Sequence, residues 1–358
     1  MTTLYLTEPY SVVRKDGDTL VVNVPENKES GVPKRSVRVP MHQVEQVVVL
    51  GDSTVTTPAL LALLEQSAEI CFCDYWGNFK GRLAPEVSKN IFVRMSQFRL
   101  HENYRRRVQL AARFVRGKLH NQRTLVLRGA RGQTDSVSGE QLVGLAGQIG
   151  QLIERVDQLR IDADGPPDPR VPQADSALGE LNGYEGLGAA AFFKALRRLL
   201  KQDLGFEGRH RRPPTDPVNV LLSYGYTLLM NHVMSAVQVV GFDPYVGYLH
   251  SEGYGKPALA LDLMEEMRTP IVDSVVLTVI NKNIVRAEHF ESVLGVSRLT
   301  ASGRRLFLQQ FEQRLNTEIE HPVFQYKATY RRCLELQARL LAKHVLGELA
   351  EYRPFQVR

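Results

Sequence analysis

Residues 69–118 read EICFCDYWGNFKGRLAPEVSKNIFVRMSQFRLHENYRRRVQLAARFVRGK, and the spacing of their apolar side chains changes at Pro85. Before Pro85 the apolar residues form a short run, which is typical of a strand. After it they recur every three to four residues, which predicts one helix over residues 90–118 with the basic side chains largely on other faces. The members of that predicted apolar face are Met95, Phe98, Tyr104, Val108, Ala111 and Val115.

The strand pattern extends back from this boundary to the start of the chain. Runs rich in valine and leucine, TLYLT, SVVRK, TLVVNV, SVRV and QVVVL, alternate with turn signals. Asp16 and Gly17 lie between two of these runs and predict a hairpin. Thr57 and Pro58 precede ALLALLEQ, which predicts a short helix among the strands because proline is favoured in the first helical turn.

Helical patterns dominate the rest of the chain. They cover residues 184–201, 217–240, 258–268 and much of 270–350. The stretch from Asp162 to Pro172 holds four prolines and a glycine, so it is predicted to be a loop or hinge. The predicted fold class is α+β, with a small β-rich domain over residues 1–84 followed by a larger α-helical domain over residues 85–358.

The composition excludes several classes of protein. The 358 residues include 43% hydrophobic and 23% charged residues, as expected for a globular protein and not for a disordered chain. Cys71, Cys73 and Cys333 form no CxxC pair, which argues against a disulfide framework or a cysteine zinc site. No apolar run has the roughly 18 residues that a membrane span requires, and the N-terminus does not resemble a signal peptide. The expected location is therefore the cytoplasm, with no membrane partner.

Positive charge is concentrated in two stretches. Residues 94–131 hold eleven lysines and arginines and one acid, Glu102, and residues 194–212 hold seven against two. These stretches account for the net charge of +6, since the remainder of the chain is acidic. Concentrated positive charge attracts nucleic-acid phosphates and makes binding depend on salt. The alternative is a long helix that is charged only on its solvent side.

Three segments of the predicted α-helical domain contain side chains that could bind a metal ion. Glu185 lies in GYEGLGAAAFF, where it is predicted to open a helix and to be buried, because small residues allow close approach of another backbone. His250 lies in the glycine- and tyrosine-rich DPYVGYLHSEGYG. Asp262, Glu265 and Glu266 follow at helical spacing in ALALDLMEEMR. Taken singly, Glu185 could serve only the helix dipole and His250 only a loop.

Two carboxylates and one imidazole suit magnesium or manganese better than a structural zinc ion. Beside basic helices, such a cation would assist phosphoryl transfer on a nucleic acid. Two other functions stay open. A non-catalytic DNA-binding scaffold would need the basic stretches but not the acids and the histidine. A metal-dependent phosphoesterase of small substrates would need the acids and the histidine but not the basic stretches.

Four segments of the chain resemble the Cas1 family, the CRISPR-associated endonucleases and integrases of spacer acquisition. They are NGYEGLGAAAFF, GRHRRPPTDPVNVLLSYGYTLL, GFDPYVGYLHSEGYGKPALALDLMEEMRTPIVD and YKATYRRCLELQARLLA. The resemblance implies that Glu185, His250 and Glu265 hold Mg²⁺ or Mn²⁺ and that Asp262 supports them. It selects Glu265 by its spacing from His250, whereas helix geometry alone also admits Glu266.

The same resemblance implies the reaction and the partners. Proteins of this family are homodimers, here expected to form through the β-rich domain, and they join the small second Cas protein, Cas2. Each 3′-hydroxyl of a captured foreign DNA duplex attacks a phosphodiester at a boundary of the CRISPR repeat. The basic residues expected to contact this double-stranded DNA are Arg105, Arg106, Arg107, Arg113, Arg197, Arg198, Arg209, Arg211 and Arg212.

Overall fold

A computed structural model describes residues 2–27, 32–77, 79–85, 90–133, 135–160, 176–210, 213–250, 253–293 and 295–357 of the chain. The chain divides into two compact units. The first comprises residues 1–87 together with 289–291 and 298–305, and the second comprises the remainder. The two late segments of the first unit have no counterpart in the sequence pattern, which shows only one change, near residue 85.

Strands dominate the first unit. They are β1 (Thr2–Leu6), β2 (Val12–Asp16), β3 (Thr19–Val24), β4 (Arg35–Pro40), β5 (Val44–Leu50), β6 (Thr54–Val55), β7 (Glu69–Cys73) and β8 (Phe79–Leu83). One sheet has the order β1-β5-β7-β8 and the other β4-β3-β2-β6. Leu20, Val47, Leu63 and Ile70 lie in the core of this unit and are fully buried.

Two local predictions for the first unit are confirmed. The strands β2 and β3 pair antiparallel, with Asp16 opposite Thr19. Gly17, in the turn between them, has φ +56°, a backbone conformation that glycine adopts without strain. The short helix α1 (Thr57–Glu65) follows, with its proline in the first turn.

Helices dominate the second unit. They are α2 (Ile91–Glu102), α3 (Tyr104–Arg131), α4 (Ser136–Asp157), α5 (Ala177–Leu199), α6 (Pro217–Val240), α7 (Ala258–Met267), α8 (Ser274–Asn281), α9 (Ala301–Leu315, whose first turn belongs to the first unit) and α10 (Tyr330–Val345). A π-helical turn, Arg268–Asp273, joins α7 to α8. Short strand pairs are formed by β9 (Phe290–Val293) with β10 (Val296–Leu299) and by β11 (Glu318–Glu320) with β12 (Lys327–Thr329).

The prediction of a single helix over residues 90–118 is wrong, because the helix is interrupted at Asn103, between α2 and α3. The backbone there is extended, and the Asn103 side chain accepts a hydrogen bond from Arg106 N, so it caps the start of α3. The break separates two faces that the sequence pattern joined. Met95 and Phe98 on α2 are each 44% exposed, whereas Val108, Ala111 and Val115 on α3 are fully buried.

The α+β fold class is confirmed, since the described part of the chain is strand-rich at the N-terminus and mostly helical afterwards. The helix predicted to start at residue 184 starts at Ala177. The predicted loop from Asp162 to Pro172 lies outside the described residues. Among the residues that are described, none of the helices has both the length and the apolar character needed to cross a membrane.

Candidate metal centre

Glu185 lies in the interior of α5. Since this helix begins at Ala177, the prediction that Glu185 opens it is wrong, and so is the alternative that Glu185 only serves the helix dipole. The side chain is 24% exposed and is therefore less buried than predicted. The predicted close approach of another backbone is not found: an added Cβ at Gly188 would collide with the Leu119 side chain, and one at Gly186 would meet open space.

His250 is held by Asp262, which is itself completely buried at the centre of α7. Asp262 Oδ1 accepts from His250 N at 2.9 Å and lies 2.7 Å from His250 Nδ1. Because a carboxylate only accepts, His250 Nδ1 donates to Asp262, and Nε2 is the ring nitrogen that faces Glu265. Asp262 Oδ2 accepts from Leu249 N at 3.0 Å and from Tyr248 N at 2.5 Å. One carboxylate therefore fixes both the loop and the imidazole.

Glu265 lies one helical turn after Asp262 and is only 3% exposed. Its Oε1 is 3.0 Å from Arg268 Nη2 and 3.8 Å from His250 Nε2. Burial by itself would raise the pKa of Glu265, but the charges of Arg268, Lys118 and His250 outweigh burial and hold the pKa at about 2. Glu265 is therefore an ionised carboxylate in the interior.

Glu266 is equally buried but faces other partners. It accepts hydrogen bonds from Gln337 Nε2 at 2.8 Å, Tyr352 Oη at 2.7 Å and Phe355 N at 2.9 Å. Burial raises its pKa to about 7. Helix geometry alone left Glu265 and Glu266 as alternatives, and the fold places only Glu265 beside His250.

Lys118 of α3 lies between the two glutamates. Its ammonium is in ion-pair contact with Glu185 Oε1 and lies 2.5 Å from Glu265 Oε2, and the residue is 6% exposed. The cluster of Glu185, His250 and Glu265, held together around Lys118, is called the acid–histidine site below.

The donors of the acid–histidine site fit a divalent cation. Glu185 and Glu265 supply carboxylate oxygens, and His250 supplies Nε2 with Asp262 behind it, the arrangement that orients imidazole ligands in metal sites. A cation, the Lys118 ammonium, already lies between the carboxylates. Within the described ranges no three His, Cys, Asp or Glu side chains stand close enough together to hold a metal ion as they are placed.

Several arginines expected to contact DNA are engaged within the protein. Arg107 Nε donates to Tyr248 O at 3.1 Å, so it braces the loop that carries His250. Ion pairs join Arg113 to Glu351 at 3.0 Å and Arg197 to Glu207 at 2.6 Å. The two ion pairs reduce the charge available to a phosphate at Arg113 and Arg197, and the hydrogen bond of Arg107 directs its side chain to the protein backbone.

The other predicted arginines differ in exposure. Arg105, Arg106 and Arg198 are exposed. Arg209 donates to Asn219 Oδ1 and Ser223 Oγ at 2.8 and 3.0 Å, which fixes it against α6. The remaining two, Arg211 and Arg212, lie outside the described residues.

Two cations of the acid–histidine site were not singled out from the sequence. Lys118 belongs to the basic stretch of residues 94–131, yet it follows Val115 by three positions and so continues the buried face of α3. That spacing is the signal that could have identified it. Arg268 follows Glu265 by three positions, the spacing of a helical ion pair.

The fold defines a class of α+β proteins in which a strand-rich unit is followed by a helical unit. The helical unit carries the two carboxylates and the imidazole of the acid–histidine site. Residues 4–313 match the model of one family, the CRISPR associated protein Cas1. The chain belongs to this family, as its segments predicted. It is 37% identical over 356 residues to "CRISPR-associated endonuclease Cas1 3" of Thermus thermophilus, covering 99% of this chain and 97% of that one.

Two solved structures are similar to the whole chain. "Casposase bound to integration product" matches with a TM-score of 0.80 and 21% identity, covering 98% of this chain and 92% of that one. A chain of the "Cas6-RT-Cas1--Cas2 complex" matches with a TM-score of 0.73 and 25% identity, covering 99% of this chain and 36% of that one. The relative from Thermus is named an endonuclease, the enzyme class that the sequence predicts.

Proposed function

We propose that this chain is a metal-dependent DNA endonuclease and integrase of CRISPR adaptation, which inserts fragments of foreign DNA, spacers, into the CRISPR array. The observation that carries the proposal is the set of contacts that links Glu185 of α5 through Lys118 to Glu265 of α7, and Glu265 to His250. Membership of the Cas1 family supports it. The proposed location is the prokaryotic cytoplasm.

Glu185, His250 and Glu265 would hold Mg²⁺ or Mn²⁺. When bound, such an ion supplies Lewis-acid stabilisation of charge on phosphate and eases deprotonation of a 3′-hydroxyl. The chain's own contribution is orientation. Asp262 accepts from His250 Nδ1 and so orients Nε2 toward the site, while Arg268 and Lys118 keep Glu265 ionised.

The substrates proposed are two double-stranded DNAs, the captured fragment and the CRISPR repeat. Each 3′-oxygen of the captured fragment would attack a phosphorus of the repeat. A new phosphodiester bond forms, an existing P–O bond breaks, and the repeat strand leaves with its own 3′-hydroxyl. Arg105, Arg106 and Arg198, which are exposed, would contact phosphates without reading sequence, which suits captured DNA of any sequence.

The proposed assembly is a homodimer that joins Cas2. Support for Cas2 comes from the similarity to a chain of the "Cas6-RT-Cas1--Cas2 complex". The first unit, residues 1–87 with its two late segments, is proposed to make the dimer contact, because β4 is an edge strand with an exposed face.

The test is strand transfer. A DNA duplex with 3′-hydroxyls is incubated with a supercoiled plasmid that carries a leader and repeat, Mn²⁺ and Cas2, and joined product is measured. Glu185→Gln, His250→Ala and Glu265→Gln should each reduce joining by at least about 100-fold, the scale of losing a key charge-stabilising group. Glu180→Gln is the matched control, because Glu180 is an exposed acid on the same helix as Glu185.

The outcome also separates the alternative functions. If all three site variants join DNA as well as the unchanged protein, the acid–histidine site does not perform the reaction. If the unchanged protein binds DNA and never joins it, the chain is a scaffold. Hydrolysis of small phosphoesters without DNA joining would favour the phosphoesterase.

A further inference from the structure

Lys118 is an unusual residue for the interior of a metal site, because a metal ligand set normally converges on the metal and not on a lysine. Its ammonium contacts Glu185 Oε1 and Glu265 Oε2, which come from different helices, α5 and α7. The side chain is 7% exposed. A lysine is almost never buried to this extent unless it is paired, and here the pairing is with two proposed ligands.

The charges of the site explain why a cation is needed there. Glu265 is 3% exposed, and Glu185 faces it across the Lys118 ammonium. Two carboxylates brought together without a counter-charge repel each other, and a buried charge without a partner is costly. Lys118 supplies the counter-charge from between the two carboxylates, whereas Arg268 contacts only the Oε1 side of Glu265.

The ammonium and a metal ion would compete for the same oxygens. A bound Mg²⁺ or Mn²⁺ takes its ligand oxygens at about 2.0–2.2 Å, so an ion shared by Glu185 and Glu265 would overlap the position of the ammonium. The backbone of α3 is fixed, since this helix packs against α4, α5 and α7. The lysine stem has four flexible carbons, so the side chain can withdraw while the helix stays in place.

We propose that Lys118 is the resident counter-cation of the acid–histidine site and that the divalent ion enters by displacing its ammonium from between Glu185 and Glu265. This inference rests on the proposed function, because it takes these residues as the ligands. It assigns to Lys118 a positioning role, in which the lysine preserves the geometry of the two carboxylates until the metal replaces it. The cost of displacing Lys118 then lowers the affinity of the site for metal.

The test measures Mn²⁺ binding by calorimetry on the full chain without DNA. Lys118→Met removes the charge and keeps most of the apolar stem, so Mn²⁺ should bind at least about fivefold more tightly, the lower end of typical coupling between linked sites. Arg116→Met is the matched control, because it removes one charge from the same helix, where Arg116 pairs with Asp157. Its Mn²⁺ affinity should stay within about twofold of the unchanged protein, as for surface substitutions.

A purely structural lysine would give the opposite result. If Lys118→Met binds Mn²⁺ as weakly as the unchanged protein, or more weakly, the displacement proposal is wrong while the metal site stands. If neither protein binds Mn²⁺, the proposed metal-dependent function fails, and this inference fails with it.

Thermal unfolding provides a second readout that does not depend on activity. Without metal, Lys118→Met should unfold at a lower temperature than the unchanged protein, because the two carboxylates lose their counter-charge. Mn²⁺ should raise the unfolding temperature of Lys118→Met more than that of the unchanged protein, because the ion restores the lost charge. If Lys118→Met does not fold alone, refolding in Mn²⁺ should recover it. Failure of Mn²⁺ to do so would contradict the proposal.

Discussion

The carboxylates of Glu265 and Glu266, adjacent residues of α7, lie in opposite electrostatic surroundings although both are buried. Arg268 and Lys118 face Glu265, and its pKa is about 2. Neutral donors surround Glu266, and burial raises its pKa to about 7. A one-residue step along the helix turns the side chain by roughly 100°, and this rotation separates a proposed ligand from a structural residue.

Substituting each glutamate in turn should therefore produce different losses. Glu265→Gln should abolish Mn²⁺ binding and DNA joining, and it should also destabilise the fold, because the buried charges of Lys118 and Arg268 lose their partner. Glu266→Gln should keep Mn²⁺ binding but destabilise the fold by about 1–3 kcal/mol, because an amide donor would face Gln337, Tyr352 and Phe355 N. Calorimetry and urea unfolding measure the two effects. Equal effects of both substitutions on Mn²⁺ binding would contradict this separation.

Gly247→Ala should impair the site through the loop that carries His250. An added Cβ would lie 2.7 Å from Ala258 C and 2.8 Å from Asp262 Oδ2, so the loop or Asp262 must move. We expect Mn²⁺ affinity to fall about tenfold, the lower end of losses from altered groups behind a ligand.

Gly253→Ala is the control for that variant. Its added Cβ would approach Lys256 no closer than 3.7 Å, which is ordinary contact. Affinity should stay within about twofold of the unchanged protein. A similar loss in both glycine variants would mean that loop flexibility, and not the position of Asp262, controls metal binding.

Removal of the exposed pair Arg105 and Arg106 should reduce the salt dependence of DNA binding. Each phosphate contact contributes about 0.9 to the slope of log K against log salt concentration, so the double alanine variant should flatten that slope by up to about 1.8. Arg107 is left intact because it braces the His250 loop. Binding of a duplex at several salt concentrations measures the slope.

The control for this pair removes two charges elsewhere. Arg332 and Arg339 on α10 both pair with Glu335, so their double alanine variant should change the slope little. If the two double variants flatten the slope equally, the salt dependence of DNA binding reflects the net charge of the protein and not the position of Arg105 and Arg106 on α3.

His321 should make stability depend on pH. It is fully buried, its Nδ1 accepts from Val323 N and Phe324 N, and burial lowers its pKa from 6.5 to about 4. Between pH 6.5 and 4 the unfolded chain binds a proton that the folded chain does not. Stability therefore falls as the pH falls through this window, by at most about 1.4 kcal/mol per pH unit from this group, and is unaffected by it above 6.5.

Replacement by asparagine isolates that effect. The side-chain oxygen of His321→Asn can accept from the same two backbone N–H groups, as in an Asx turn, and it does not titrate. Urea unfolding from pH 4 to 7 should show a shallower decline in the variant than in the unchanged protein. Parallel profiles would show that His321 does not titrate in this range.

The sequence alone determined the α+β class, the change from strand to helix patterns near residue 85, the family and the candidate acids and histidine. These features can be predicted because each signal, the period of a strand or helix, a turn residue or an ordered motif, depends on residues that are close together in the sequence. Prediction from local periodicity failed at Asn103. There the side chain accepts a hydrogen bond from Arg106 N and caps a new helix, although the apolar pattern continues without interruption.

Only the tertiary structure decided how the candidate residues meet. The packing of α3, α5 and α7 brings Lys118, Glu185 and Glu265 together although 147 positions separate the first from the last. It also separates Glu265 from Glu266 and turns Arg107 inward to the His250 loop. The physical reason is that ionic contacts depend on distance in space, and no period along the chain encodes which helix faces will pack against each other.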